Sequence, residues 1–547
     1  MFLSNHWKNL KKLSESRIYI NNVYEKFLKI LSKKLNQKFK LKKPIVFWRV
    51  IIGPWLIFYL VSNYDKWLIV KNQKKRVISK FRNYKPKNKS ILINYDINDF
   101  YKKAKENDDY FNICLDRIIN HKKYHIKIIS SKFNTYKLKS NNLEIKGVHL
   151  LDFIFSYISL IFSKYLFDIQ YFPKKALLKL FLFSKIIPSV HRLNFLDFHY
   201  QNIFFNQIER QNFFNLRDNN NFDNFEKFIF LNLVTDFPIQ YFENFKKNRK
   251  KIKFLSSFPK KIIITMISHM FNEKFKYYLA EMISKKSKLV IIEHGGCLDY
   301  NFDSFLDHED KICYKKITWD KSIGVNKVQL PVIQLLSDIN NLYEKKSDKI
   351  LILYCEILKY PMKIQCLPYN CHRSNEIINF KNILKKIHKK YHHRINFRYS
   401  SDMNKKNNFI INDLQKTFPK INFYNYKEGP SFQKDLSRSQ IVICTNPETT
   451  LAQSVISKRP TLLYLQKEHY EFSNKSKIML KLLKKEKIYF ETPNSLSQQI
   501  NKLIKDPNNE WFGSHKVKKA FQLFEKQFFN VDKNWLNKWK NFIVNLC

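Results

Sequence analysis

The chain has 547 residues, which is too long for one compact core and suits two or three domains. Hydrophobic residues make up 44% and aromatic residues 16%, which argues against a disordered chain. The formal net charge is +53, but the sequence has no Arg-rich arm, zinc module or aromatic RNA-binding signature, so we expect no nucleic-acid partner.

The first 70 residues read as helical, and one stretch within them is long and apolar. Pro44–Val61 approaches the length of a membrane span. Arg49 lies inside it, and Gly53 and Pro54 should break a helix near its centre. We therefore expect a buried or interface-facing helix rather than a span. The first ten residues have no apolar core, so we expect no secretory signal.

A Lys- and Asn-rich connector at residues 71–89 leads into alternating short and long apolar segments. Ser90–Asn94 and Tyr124–Ser130 read as strands, and Asp108–His121 reads as the helix between them. A second long apolar run, Leu150–Phe172, contains charged residues and reads as a buried helix. The pattern beyond it stays mostly helical and rich in aromatic residues.

The clearest alternation of strands and helices begins near residue 260. The predicted strands are Lys261–Met266, Lys288–Glu293, Lys349–Tyr354, Arg394–Tyr399, Ile421–Tyr424, Ile441–Thr445 and Thr461–Leu465, and the predicted helices are Glu273–Lys285, Asn375–Tyr391 and Thr449–Ser457. Strands rich in Ile, Leu and Val between amphipathic helices indicate parallel sheets covered on both faces. Two such runs, separated by a polar break, predict an α/β protein with two Rossmann-like domains facing a cleft.

These patterns divide the chain into four predicted regions. They are a helical N-terminal region with its basic connector (1–89), a first Rossmann-like domain with a helical insertion (90–336), a second Rossmann-like domain (349–505) and C-terminal helices (506–547). Ligands of such sheets bind at the carboxyl ends of the strands, so we expect the functional residues there.

One motif stands out because the chain has only 7 Gly. His294, Gly295 and Gly296 directly follow a predicted strand, which would place the His in the cleft. Two glycines would let the backbone turn sharply and approach a ligand, leaving N–H groups free for an oxyanion or phosphate. Neutral imidazole can accept a proton from an attacking hydroxyl near pH 7. We predict His294 as base or phosphate ligand, with a tight turn and an incidental His as the alternative.

An acidic stretch follows this motif, from Asp299 to Asp310, in a chain that is otherwise basic. Within it, Glu309 and His308 are candidates for supporting the cleft or binding a hydroxyl, and we predict Glu309 as a catalytic residue beside His294. The alternative is a solvated loop that neutralises nearby Lys. The sequence has no Asp-x-Asp pair, so we expect neither a required divalent cation nor a cofactor.

A second group of candidates lies where a predicted strand leads into a helix. Asn446 suits the helix N-cap, Pro447 the first helical position and Glu448 the first turn. A well-capped helix without a ligand would explain the same residues.

The same helix start is also suited to bind an anion, because its N–H groups point outward at the carboxyl edge of a sheet. The hydroxyls of Thr449 and Thr450 suit phosphate oxygens, and Glu448 suits hydroxyl groups. Arg398, at the end of an earlier predicted strand, would offset the phosphate charge. We therefore predict a phosphate-binding site here.

Taken in order, several segments resemble a bacterial family of transferases found in O-antigen and other surface-carbohydrate clusters. The matching segments are Phe47–Leu56 (FWRVIIGPWL), Asp109–Asn112, Pro238–Glu243, His294–Gly296, Ile317–Trp319, Pro447–Leu451 and Arg459–Thr461. The GPWL and HGG segments are the most specific of these. The resemblance implies a GT-B-like fold, in which two Rossmann-like domains enclose a cleft. More distantly, the HGG segment is similar to wall-teichoic glycerophosphotransferases and capsule sugar transferases, in which the matching His is a candidate base.

From this resemblance we expect a metal-independent glycosyltransferase of bacterial surface polysaccharide synthesis. The first domain would bind a glycan or lipid-linked acceptor and the second a nucleotide-sugar donor. Gly295 and Gly296 would form the close-approach loop, and Asn446 would join the donor contacts. The alternatives are a CDP-polyol phosphotransferase of cell-envelope polymer synthesis and a basic nucleic-acid-binding or scaffold protein.

We expect the enzyme in the cytoplasm, at the inner face of the cytoplasmic membrane. The apolar N-terminal segment and the excess of Lys would supply peripheral contact with anionic lipid. Codon bias toward AT-rich codons is the competing explanation of the charge, because Lys and Phe are abundant while Gly is scarce.

Overall fold

The structure is a computed structural model that describes most of the chain. The described residues are 5–73, 81–85, 89–121, 158–169, 172–186, 188–190, 198, 205–215, 221–321, 324–336, 348–400, 409–506 and 510–546. The predicted strand Tyr124–Ser130 lies outside them.

Two sheets of six parallel strands form the framework of the molecule. The first contains β1 (Tyr165–Asp168), β2 (Pro188–Val190), β3 (Ile262–Thr265), β4 (Lys288–Ile292), β5 (Lys315–Thr318) and β6 (Lys327–Gln329), and the second contains β7 (Lys349–Cys355), β8 (Ile395–Ser400), β9 (Asn422–Asn425), β10 (Ser439–Cys444), β11 (Thr461–Tyr464) and β12 (Tyr489–Phe490). The strand orders are β2-β1-β3-β4-β5-β6 and β12-β11-β10-β7-β8-β9, and every pairing is parallel.

The second sheet has the Rossmann order, in which the chain runs outward from β7 to β9 and then returns to β10 on the other side of β7. The crevice between the carboxyl ends of β7 and β10 is therefore the switch point where such sheets bind ligands. With a parallel sheet in each lobe, the fold is α/β and GT-B-like, and the predicted fold class is confirmed.

Helices cover both sheets and add an N-terminal region and a C-terminal extension. In chain order they are α1 (Leu10–Phe39), α2 (Ile45–Asn72), α3 (Ile97–Glu106), α4 (Asp108–Ile119), α5 (Lys174–Ser184), α6 (Gln207–Phe213), α7 (Asn224–Asp236), α8 (Phe245–Lys253), α9 (Ser268–Phe271), α10 (Glu273–Ser284), α11 (Ser304–Ile312), α12 (Arg373–Lys386), α13 (Phe409–Thr417), α14 (Phe432–Ser437), α15 (Thr449–Ile456), α16 (Asn474–Lys485), α17 (Pro493–Ile504), α18 (Glu510–Gly513), α19 (His515–Phe528) and α20 (Trp535–Asn545).

Helix α2 contains the apolar segment and is not broken at Gly53 and Pro54. Proline removes one helical hydrogen bond and costs about 3 kcal/mol in a helix interior. Burial of each neighbouring large side chain returns about 1.5–3 kcal/mol, and Trp55, Leu56 and Tyr59 are fully buried, so packing outweighs the proline. The expected break is therefore wrong, and the expectation of a buried helix is confirmed.

In the part of the chain that the structure describes, α2 alone is long and apolar enough to cross a membrane. Of the 18 most apolar consecutive residues of α2, 89% are buried inside the protein. Helices α1, α4, α10 and α11 pack around it. A helix that is hydrophobic on all sides is what such a core position requires.

Two predictions in the first half of the chain are wrong. The predicted strand Ser90–Asn94 is instead part of a short 3₁₀ helix, Lys89–Leu92. Leu150–Phe172, predicted as a helix, contains strand β1, which lies between β2 and β3 as the second strand from one edge of the first sheet. Within β1, Leu166 and Phe167 are fully buried between covering helices, so continuous apolar character here reflects a parallel strand.

The C-terminal helix α20 returns to the first lobe. It packs against α5, and the indole nitrogen of Trp539 donates a hydrogen bond to the Pro331 carbonyl at 2.9 Å. Lys288 Nζ also reaches the carbonyl of Leu546 at 2.7 Å. The end of the chain therefore connects the second lobe back to the first.

Candidate functional site

A cavity of about 350 Å³ lies between the two lobes, and residues from both line it. Residues 293–296 follow the carboxyl end of β4, and Glu448 and Thr449 follow β10. The structure thus brings the two predicted motifs to one cavity, at the strand edges where ligands of parallel sheets bind.

Backbone hydrogen bonds hold the loop after the HGG segment against the second lobe. The Leu298 amide donates to the Pro447 carbonyl at 3.2 Å, and the Ser473 amide donates to the Asp299 carbonyl at 3.0 Å. Lys475 Nζ lies 3.3 Å from an Asp299 carboxylate oxygen. These contacts fix how closely the lobes approach across the cavity.

The two glycines are needed for space rather than for an unusual backbone conformation. The backbone bends at His294 and Gly295, as expected, but neither Gly295 nor Gly296 has a positive φ. A Cβ on Gly295 would lie 2.5 Å from Thr449 Oγ1, and one on Gly296 would lie 3.3 Å from Glu293 Cδ. The first of these distances is too short for any side chain, so Gly295 is where the first lobe touches the helix start of the second.

His294 projects into the cavity with its side chain exposed. The protein around the cavity withholds water from an imidazolium, and this desolvation lowers the pKa of His294 below 6.5, although the charge of Glu309 acts in the opposite direction. At neutral pH the imidazole is therefore uncharged and has a nitrogen lone pair available to accept a proton.

Glu293 is the site residue that sequence reasoning missed, having been read only as the end of a strand. It lines the cavity, and its Oε2 accepts the Trp319 backbone N–H at 2.9 Å. Burial, and then the nearby charge of Asp320, raise the pKa of Glu293 from 4.5 to about 7. A carboxyl that titrates near neutrality in a cleft has the property of a general acid or base.

Glu309 lies behind the cavity wall and is buried on α11. Its two carboxylate oxygens face His269 Nε2 at 3.1 Å and Lys316 Nζ at 2.7 Å. Burial would raise the pKa of Glu309, but Lys316 and His269 overcome this effect and lower the pKa to about 2. A permanently ionised, doubly paired carboxylate does not fit the predicted catalytic role, because it has no proton to exchange near neutrality.

The rest of the acidic stretch is paired with lysines or, at Asp307, with Arg17, but parts of it are buried instead of solvated. Asp303 caps α11 through the Phe305 amide and lies 2.9 Å from Lys363 Nζ. His308, the other candidate for supporting the cleft, is buried with its Nδ1 3.1 Å from the Tyr24 hydroxyl. The acidic residues therefore neutralise basic side chains and fix the cavity wall.

The helix start in the second lobe differs in detail from the prediction. The N-cap is Glu448, not Asn446, and α15 begins at Thr449, so Pro447 lies before the helix. The Glu448 side chain makes no capping hydrogen bond. The first N–H groups of α15 therefore keep their capacity to bind an anion, which a side-chain cap would have occupied.

A second cavity of about 340 Å³ occupies the switch-point crevice of the second sheet. It is lined by Leu353, Tyr354, Cys355, Arg398, Tyr399, Ser400, Tyr426, Phe432, Asn446, Glu448, Thr449, Thr450 and Gln453. Glu448 and Thr449 line both cavities, so the two hollows meet at the start of α15. Burial raises the pKa of Glu448.

Arg398 is fixed at the edge of this second cavity. Its Nη1 donates to Asp435 Oδ2 at 2.6 Å and to the Pro430 carbonyl at 2.7 Å. Asp435 offsets part of its charge, and the guanidinium is held in one orientation beside the crevice. Across the cavity, Thr450 Oγ1 lies 3.3 Å from Asn446 Oδ1.

Residues 1–543, almost the whole chain, match the profile of the LIC12162 family transferases. The chain belongs to the LIC12162 transferase family. The chain is thus a transferase, and its cavity between the lobes lies where the carboxyl edges of the two sheets meet. No curated protein matches the sequence.

Solved structures with some similarity to this LIC12162 family member include two that hold UDP compounds. Trehalose-6-phosphate from E. coli bound with UDP-2-fluoro glucose is 9% identical, with a TM-score of 0.36, and the match covers 70% of this chain and 98% of the other. Anabaena Alr3699/HepE in complex with UDP and glucose is 9% identical, with a TM-score of 0.34, covering 55% and 80%. At TM-scores below 0.5 these similarities add nothing to the topology described above.

Among the described residues of this LIC12162 family transferase, no group of three or more His, Cys, Asp or Glu side chains is placed to hold a metal ion. The cations that line the cavity between the lobes are Lys316, Lys327 and Lys363. Metal independence stays a prediction, as do the roles of the individual site residues.

Proposed function

We propose that this transferase moves a sugar from a nucleotide-sugar donor to a glycan or lipid-linked acceptor, in the synthesis of bacterial surface polysaccharide such as O-antigen. We place the reaction in the cytoplasm. The observation that carries the proposal is that two cavities, one in the second lobe and one between the lobes, meet at Glu448 and Thr449.

The donor occupies the second-lobe cavity in this proposal. The uncapped start of α15 and the hydroxyls of Thr449 and Thr450 bind its phosphates, and Arg398 adds a positive charge at the cavity edge. Glu448, where the two cavities meet, accepts hydrogen bonds from donor hydroxyls. These contacts stabilise the negative charge that the departing nucleotide gains as the glycosidic bond to phosphate breaks.

The acceptor occupies the cavity between the lobes, with its hydroxyl facing Glu293 and His294. As the hydroxyl oxygen attacks the anomeric carbon, its proton passes to the Glu293 carboxylate, which is a suitable base because its pKa is about 7. Neutral His294 accepts a hydrogen bond from the same hydroxyl or donates one to the donor phosphate. The close contact at Gly295 brings the two reactants together at this point.

A thermal-shift screen tests the donor assignment. UDP-, GDP-, dTDP-, CDP- and CMP-sugars are each added to the wild type, to Thr449→Val and to a control, Thr417→Val. Thr417 is exposed at the end of α13 and is not among the residues that line either cavity. We expect one donor class to stabilise the wild type and Thr417→Val but not Thr449→Val.

The released products then identify the reaction. Release of a nucleoside diphosphate, or of CMP from a CMP-sugar, with a glycosylated acceptor supports the proposal. Release of CMP from CDP-glycerol or CDP-ribitol, with transfer of the polyol phosphate, would instead support a phosphotransferase. If none of the donors shifts the melting temperature while RNA or DNA binds with steep salt dependence, the transferase site is wrongly placed.

A further inference from the structure

Helix α8 is the most basic helix on the first lobe. Its nine residues include six Lys or Arg and no acidic residue. Phe245, Asn248 and Ile252 are buried and attach the helix to the lobe, while Lys246, Lys250 and Lys253 are exposed. This spacing gives the helix one packed side and one strongly positive side.

A groove of about 590 Å³ runs beside this helix and is also basic. Its lining includes Lys43, Arg249 and Lys285, and the one acidic lining residue is Glu281. Glu281 is already paired with Lys43 at 2.7 Å and Arg249 at 2.6 Å. The charges of the three exposed α8 lysines are therefore not offset by a carboxylate within the described part of the groove.

An exposed aromatic ring adjoins these lysines. Phe254 directly follows α8 and is 53% exposed, and its ring lies 5.4 Å from the ring of Phe258 in an edge-on arrangement. Exposed rings next to clustered lysines are typical of surfaces that insert apolar groups at a bilayer interface while binding anionic headgroups.

We propose that Lys246, Lys250, Lys253, Lys285 and Phe254, here called the basic face, dock the protein on the surface of an anionic phospholipid bilayer. This inference is independent of the reaction proposed above. The basic face takes the place of the apolar N-terminal segment, which we expected to contact the membrane, because α2 is buried inside the first lobe. A single-stranded nucleic acid would require several exposed rings in succession, and Phe254 is the exposed ring of this pair.

The position of the basic face is compatible with catalysis. The chain passes from α8 through Phe254 to the start of β3, and from α10 through Lys285 to the start of β4. The face therefore lies at the amino edge of the first sheet, whereas the cavity between the lobes lies at the carboxyl edge. A docked enzyme would keep its cavity open to soluble donor.

Vesicle co-sedimentation of the full-length protein tests the proposal. Phosphatidylcholine vesicles are compared with vesicles that contain about one-third phosphatidylglycerol. The test variant is Lys246→Ala/Lys250→Ala/Lys253→Ala, and the matched control, Lys516→Ala/Lys518→Ala/Lys519→Ala, removes the same charge from exposed positions on α19. Circular dichroism and melting temperatures establish that both variants fold.

We expect the wild type and the control to bind anionic vesicles and not phosphatidylcholine. Each lysine near an anionic surface strengthens binding about fivefold, so the test variant should bind roughly 100-fold more weakly. Phe254→Ser, which keeps every charge, should weaken binding by about 5- to 10-fold.

The proposal is overturned if the test variant and the control bind alike, or if the wild type binds phosphatidylcholine equally well. It is also overturned if single-stranded RNA, and not anionic vesicles, binds in a manner that depends on these three lysines.

Discussion

Replacing Glu293 by Gln should stabilise the protein above neutral pH and at the same time abolish its activity. The folded protein binds the Glu293 proton with a pKa of about 7, whereas the unfolded chain releases it with a pKa of 4.5. Between these values the folded state holds more protons than the unfolded state, so rising pH lowers the free energy of unfolding. The free energy of unfolding has fallen by its full amount above pH 7, and below pH 4.5 it is not reduced.

The size of this effect follows from the difference of about 2.5 pKa units. At about 1.4 kcal/mol per unit, ionised Glu293 destabilises the folded state by about 3 kcal/mol at pH 8. Gln cannot ionise, and its carbonyl oxygen can still accept the Trp319 N–H. Glu293→Gln should therefore unfold roughly 2–3 °C higher than the wild type at pH 8, and the difference should shrink toward pH 5.

The assay is denaturant and thermal unfolding of both proteins from pH 5 to 8.5. Glu309→Gln is the control of opposite sign, because it breaks a buried ion pair and should cost about 3–5 kcal/mol at neutral pH. A difference between Glu293→Gln and the wild type that does not change with pH would refute the reasoning, since the carboxyl would then titrate at its ordinary pKa. In kinetics, kcat/KM of the wild type should rise with pH up to about 7, and Glu293→Gln should show no turnover at any of these pH values.

Three further substitutions test the contacts of the cavity and its wall. His294→Ala should lower turnover about 100- to 10,000-fold with an unchanged melting temperature, since the side chain is exposed; normal turnover would contradict a catalytic role. Gly295→Ala should lower the free energy of unfolding by about 1–3 kcal/mol, and adding Thr449→Ala should restore part of it. If the losses of stability from Gly295→Ala and Thr449→Ala are additive in the double variant, the contact between these two residues is not the cause of the Gly295→Ala effect. Gly53→Ala should cost a similar amount, partly recovered by Tyr24→Phe, and a raised melting temperature would contradict the packing.

The second lobe could be predicted largely from sequence because its strands are short apolar runs between clear helices. Ile441–Thr445 and Thr461–Leu465 agree with β10 and β11 to within two residues at each end. Such short runs, buried on both faces, are typical of parallel strands. The order of the strands is set by contacts distant in sequence, and it became visible only in the structure.

The part of the first lobe before residue 260 was harder to predict, because its strands do not differ in composition from its helices. β1 (Tyr165–Asp168) lies within a long apolar run that also suits a buried helix, and length alone cannot separate the two. Ser90–Asn94 has the composition of a strand, but its neighbours fold as helices and its backbone closes into a 3₁₀ turn. In both segments, packing against distant parts of the chain determines the secondary structure.

The position of Glu309 was predictable in part. Its closeness in sequence to the HGG segment suggested that its side chain lies in the cavity beside His294, and this evidence was misleading. The helical period gives a different answer, because Phe305, His308, Glu309 and Ile312 recur at intervals of three and four and share the buried side of α11. Residues on that side face the protein interior. Glu293, in contrast, directly follows β4 at the cavity edge, and its pKa is raised by burial and by the charge of Asp320, which no local pattern indicates.

The GPWL segment and the HGG segment are far apart in sequence, and the structure connects them through α11. Gly53 of α2 leaves room for the Tyr24 hydroxyl and for His308, which lies on the side of α11 that faces α2. The next residue, Glu309, holds Lys316, and Lys316 lines the cavity beside Glu293 and His294. A side chain at Gly53 would displace α11 and with it the lysine that sets the charge of the cavity wall. The buried N-terminal helices therefore act on the site through packing, so a change in their core should alter activity even though no residue of the GPWL motif itself is among the residues that line either cavity.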